Sequence, residues 1–117
     1  MTAWIAAAII ILSHASSHHH RRDPRLPDRP SAVRVSKRVF GRHWRAAVCI
    51  ARFESRWTLR ARNGVNLGPW QINTVAHPGV RAGRLTHSWL YSARVAYAVS
   101  SHGTDWTPWT THGACGV

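Results

Sequence analysis

From Trp44 to about Trp57 the polar positions recur at a helical spacing. Arg45, Cys49, Arg52 and Arg56 stand at i, i+4, i+7 and i+11 and form one polar stripe. Ala47, Ile50, Ala51 and Glu54 lie on the opposing face, with Val48 and Phe53 beside them. The pattern predicts an amphipathic helix. A second helix is predicted from about Ser88 to Ser100, with Trp89, Ala93 and Ala96 as its stripe and Leu90 and Tyr97 widening it. Thr86 is its candidate N-cap and Gly103 suits the position just past its end. Between the two helices the period changes. Asn63-Gly64 signals a turn. Leu67 to Asn73 then reads as a short extended segment, with Trp70 and Ile72 on one face and Gln71 and Asn73 on the other. His77-Pro78-Gly79 closes it. The fold class expected is mainly α, with a short β segment between helices.

The first residues follow another pattern. Ala3 to Leu12 is a continuous apolar run, too short to span a bilayer as a stable helix. Ser13-His14-Ala15 follows as a small-x-small cleavage pattern, although Met1-Thr2 carries no basic side chain. Residues 1–15 are therefore expected to be an export signal; an uncleaved anchor or a buried helix is the alternative. Residues 16–38 read as a basic linker. His18-His19-His20 opens it, and Pro24, Pro27 and Pro30 punctuate it every three residues. Three adjacent histidines do not make a structural zinc site, and no metal is expected. The domain proper is expected to occupy residues 39–117.

Charge narrows the partners. The net charge is +12, from 16 Lys+Arg against four acidic side chains, and Lys37 is the one lysine. An anionic cell-wall polymer, an anionic membrane surface and nucleic acid all fit such a balance. No nucleic-acid fold motif stands in the sequence, so nucleic acid is the least expected of the three. Cys49 and Cys115 would close a loop of about 65 residues, which contributes roughly 4 kcal/mol in the chain-entropy model. A disulfide there agrees with export and suits a small domain with a thin core. Two reduced thiols are the alternative.

The acidic residues carry the candidate chemistry. Asp23 and Asp28 fall in the expected linker, which leaves Glu54, the one glutamate, and Asp105 in the domain. Glu54 lies on the apolar face and in the last turn of its helix. Removal from water and the negative helix end both disfavour a charged carboxylate there. Glu54 is therefore a candidate proton donor.

Ala51-Arg52-Phe53-Glu54-Ser55-Arg56-Trp57, followed by Gly68-Pro69-Trp70-Gln71-Ile72-Asn73, resembles the Glu-Ser … Gly-x-x-Gln-Ile signature of soluble lytic transglycosylases and goose-type-like lysozymes. Gly103-Thr104-Asp105-Trp106-Thr107-Pro108-Trp109 resembles the Gly-x-x-Trp-x-Pro-Trp close of small secreted bacterial members. The resemblance spans roughly residues 43–115. It implies a lysozyme-like fold, peptidoglycan glycan strands as partner, and no cofactor; with the export signal and the cysteines, a secreted or cell-wall-associated monomer is expected. It implies that Glu54 is the catalytic acid for the MurNAc-GlcNAc β-1,4 bond.

Ser55, Gln71 and Asn73 are the implied polar substrate contacts, each with a turn or helix-end role as alternative. Trp70 and Tyr97 are implied aromatic contacts, with core packing as alternative. Trp106 and Trp109 could stack on sugars but are more readily core. Asp105 is a candidate second carboxylate for an inverting hydrolase, or a turn cap. The Ala-Tyr-Asn-Ala-Gly motif of the larger transglycosylases is absent. A non-catalytic cationic cell-wall or membrane-binding module is the competing function.

Overall fold

The computed structural model describes residues 23–117. The expected signal segment and the histidine run lie outside these residues.

The first helix, α1, spans Arg29–Phe40. Residues 29–38, expected to belong to the linker, are instead helical. Pro30 sits in the first turn, where a helix needs no N–H, so its ring starts the helix rather than breaking it. Asp28 is the N-cap and accepts from the Ser31 N–H at 3.1 Å and from the Ser31 hydroxyl at 2.6 Å. Ala32, Ser36 and Phe40 are buried at i, i+4 and i+8. The inward stripe is thus made largely of small residues, and α1 packs against both other long helices.

A single 3₁₀ turn, Gly41–His43, leads into α2, Trp44–Ser55. Ala47, Ile50 and Ala51 are fully buried, as the wheel predicts, whereas Phe53 is 46% exposed. Two non-glycine residues in the left-handed region, Arg56 (φ 53°) and Trp57 (φ 58°), end the helix. Trp57 anchors this junction: its indole N–H donates to the Val48 carbonyl at 2.9 Å, and its own carbonyl accepts from the Asp28 N–H at 2.7 Å.

The segment expected to be one extended stretch is a folded hairpin. β1 (Arg62–Asn63), β2 (Asn66–Leu67) and β3 (Ile72–Asn73) form an antiparallel sheet in that order. Asn66 faces Asn73 and Leu67 faces Ile72 across β2 and β3. A tight turn joins them, closed by the Gln71 N–H on the Gly68 carbonyl at 3.0 Å. Gly68 is required there. Its φ is +80°, and an added Cβ would run into the Leu85 carbonyl oxygen.

A four-residue helix, α3 (Ala82–Leu85), precedes α4 (Trp89–Val99). The N-cap of α4 is Ser88, whose hydroxyl accepts from the Tyr91 N–H at 3.0 Å. Thr86, the expected cap, instead ends α3. The chain then runs through buried Trp106 and Trp109 into a 3₁₀ segment, Thr110–Cys115. Cys115 is disulfide-bonded to Cys49 on α2, across 66 residues of sequence. The core is therefore alanine-rich helix faces filled in by Phe40, Ile50, Trp70, Trp106 and Trp109. No helix among the described residues is long and apolar enough to cross a membrane.

Candidate active site

Glu54 lies one residue before the end of α2, half-buried at the side of an open cleft. The cleft holds about 270 Å³, below the ~300–1,000 Å³ usual for enclosed small-molecule pockets. Asn66, Gln71 and Asn73 from the sheet line it, with His77, Trp109 and Thr110. Among the described residues no Arg or Lys lines it, although the chain carries 16. The arginines of α2 point the other way because they lie on its opposite face.

One hydrogen bond fixes the carboxylate. The Thr111 hydroxyl donates to Glu54 Oε2 at 2.7 Å. Thr111 belongs to the 3₁₀ segment that the disulfide ties back to α2. The same helix thus supplies the carboxylate and the cysteine that anchors its hydrogen-bond donor.

The two amides are only partly used. Gln71 Nε2 donates to the Gly68 carbonyl at 3.0 Å, which leaves its Oε1 to accept. Asn73 Oδ1 accepts from the Val75 and Ala76 N–H groups at 2.9 and 3.0 Å, which leaves its amide nitrogen to donate. Gln71 is held at φ 49°, a conformation uncommon for a non-glycine residue. Both turn satisfaction and cleft lining are therefore true of each amide.

Four expected site residues stand elsewhere. Trp70 is fully buried and donates its indole N–H to the Ala47 carbonyl at 3.0 Å, so no face of it can meet a sugar. Ser55 donates to the Ala51 carbonyl and accepts from the Thr58 N–H, the work of a helix end. Tyr97 packs edge-on to Phe40 and stacks on His102, away from the cleft lining. Asp105 accepts from the Thr107 N–H at 3.0 Å and from its hydroxyl at 2.6 Å. Those bonds hold its carboxyl below the ordinary value and make it a turn cap. It does not line the cleft, so Glu54 is the one carboxylate there.

The family described as "Lysozyme like domain" matches residues 35–111. The chain belongs to the lysozyme-like domain family. That match begins inside α1 and ends at Thr111, so it takes in Glu54, the sheet amides and the donor to the carboxylate. It supports a peptidoglycan-lytic family. No curated protein and no solved structure matches the chain.

Residues in and beside the lysozyme-like cleft also include some that the sequence pattern does not reveal. Thr111 meets Glu54 from 57 positions away, a separation with no periodic signature. His77 read only as part of a turn. Asn66 precedes the segment that reads as extended, and only the sheet register sets it opposite Asn73.

Proposed function

We propose that this lysozyme-like domain is a secreted peptidoglycan glycosidase in which Glu54 is the general acid and base. The observation that carries the proposal is a lone cleft carboxylate, held by Thr111 and flanked by half-satisfied amides. Glu54, protonated, donates to the glycosidic oxygen as the C1–O bond breaks. The resulting carboxylate then takes the proton from the 6-hydroxyl of the same sugar as that oxygen closes on C1. The products are a 1,6-anhydro end and a free 4-hydroxyl, and Glu54 ends protonated as it began.

Lytic transglycosylation is favoured over hydrolysis because no second carboxylate stands in the cleft to activate water. Gln71 and Asn73 offer one acceptor and one donor to the glycan. The disulfide agrees with an extracytoplasmic location.

Glu54→Gln keeps the shape and removes the titrating proton. It should lower the clearing of purified sacculi by about 10²–10⁴-fold while the circular dichroism spectrum stays unchanged. Activity within a factor of two of wild type would overturn the assignment. Mass spectrometry of the digest separates the outcomes: anhydro-muramyl ends mean transglycosylation and reducing ends mean hydrolysis. A non-catalytic cationic module, which the charge of +12 favours, predicts sedimentation with sacculi and no released fragment from either protein.

A further inference from the structure

The face of α2 turned away from Glu54 carries a groove of its own. At about 100° per residue, Arg45 and Arg52 lie roughly 160–180° around the helix from Glu54. Arg29 on α1 lines the same face. Two adjoining hollows, of about 300 and 550 Å³, share Arg52 and Trp57. Arg45 lines one and Arg56 the other, and neither hollow has an Asp or Glu in its lining.

Three of these arginines are held by rings rather than by carboxylates. Arg29 lies 5.7 Å from the Trp57 ring centre and Arg52 lies 5.4 Å from that of Phe53. Arg45 and Lys37 both lie on Trp44, at 4.6 and 4.7 Å. The Arg25–Asp23 ion pair lies outside this groove. Cation–π contact orients a guanidinium without neutralising it, so its N–H edge stays available to an anion.

We propose that this groove binds a linear polyol phosphodiester polymer. The cations follow one another along this face, with Arg45 and Arg52 about 10 Å apart in axial rise and Arg56 just past the end of the helix. A row of this kind suits charges repeated along an extended chain rather than one phosphate. Arginine meets each phosphate through paired N–H donors.

Single-stranded nucleic acid fits less well. Its binders offer aromatic faces for base stacking, and here Trp44, Trp57 and Phe53 already carry cations. A membrane surface also fits less well. It needs an apolar face to insert, and Phe53 is the one large exposed apolar residue in the lining. The site is independent of Glu54. It would hold the protein on a wall polymer while the cleft on the other side of α2 stays open to a glycan strand.

Calorimetric titration of the full chain with a synthetic oligo(glycerol phosphate) tests this. Binding should weaken steeply as salt rises. The variant Arg45→Gln/Arg52→Gln/Arg56→Gln should lose affinity by about tenfold or more, with activity on polymer-free sacculi unchanged. The variant Arg81→Gln/Arg84→Gln/Arg94→Gln removes the same charge from exposed positions outside the groove. It should bind within about twofold of wild type. Arg52→Gln alone, at the residue common to both hollows, should weaken binding measurably and guards against misfolding of the triple variant.

Equal losses in the two triple variants would overturn the proposal and leave only net charge. So would an undiminished affinity in the groove variants. Tighter binding of an oligonucleotide with the same number of phosphates, or of phosphatidylglycerol vesicles, through the same arginines would also overturn it.

Discussion

The Thr111 hydroxyl donates to Glu54 Oε2 at 2.7 Å, and four residues after Thr111 the chain is covalently bound to the helix that carries Glu54. Carboxylate and donor therefore move as one unit. As Glu54 gives up its proton in the proposed reaction, this bond stabilises the forming carboxylate, and a hydrogen bond to a charged group contributes about 1.5–3 kcal/mol. Thr111→Val should accordingly lower kcat for sacculus clearing by about 10–100-fold, with KM nearly unchanged. Thr111→Ser keeps the hydroxyl and should restore most of the loss. A packing role for Thr111 would give the reverse order, because valine keeps the threonine shape and methyl group whereas serine loses the methyl.

The disulfide acts on stability and on this hydrogen bond together. Cys49→Ser/Cys115→Ser should lower the unfolding free energy by about 4 kcal/mol, measured by urea denaturation. In that background the further effect of Thr111→Val on kcat should shrink, since the donor is no longer tied down. Equal Thr111→Val effects with and without the disulfide would show that the two features are uncoupled.

Asp105 separates a turn cap from a second catalytic carboxylate. Asp105→Asn should clear sacculi within about twofold of wild type, where loss of a catalytic base would cost about 10²-fold or more. Its pH signature has a definite sign. The folded-state value lies below the ordinary 3.8 because of Thr107. Its stabilisation is therefore present above that ordinary value and lost as pH falls through the lower folded value. Thermal melts of wild type and Asp105→Asn should differ by a constant amount from neutral pH to about pH 5 and converge only at stronger acidity.

Gly68 holds the sheet turn against α3. Gly68→Ala combines a left-handed backbone with a collision against the Leu85 carbonyl. The expected destabilisation is about 3 kcal/mol or more, seen as a lowered melting temperature. Because Gln71 closes that turn, the variant should also lose activity at temperatures where it remains folded.

Some of this architecture is plain in the sequence and some is hidden by it, for physical reasons. The α2 wheel set Glu54 opposite the arginines and Cys49 on an outer stripe, and both placements hold in the fold. Helical periodicity is strong when large apolar and charged residues alternate. α1 is hidden because its buried stripe begins with Ser31, Ala32 and Ser36, which carry little hydropathy, and because Pro30 reads as a breaker unless its place in the first turn is known. The alternation at Trp70 to Asn73 separates inner from outer faces correctly, with Trp70 and Ile72 buried. It could not show that the apolar face is sealed, nor that strands of two residues fold back as a hairpin. Contacts such as Thr111 to Glu54 join distant positions and leave no local pattern.

The indoles connect these parts. Trp109 donates to the Trp70 carbonyl at 2.7 Å, and Trp70 in turn donates to the Ala47 carbonyl on α2. Trp109 also forms part of the cleft wall and lies 5.2 Å from Trp106, ring centre to ring centre. Light absorbed by these rings therefore samples the cleft and the core at once. Near-ultraviolet dichroism and tryptophan emission become label-free readouts of whether the cleft is assembled, so unfolding and glycan engagement can be followed in the same cuvette.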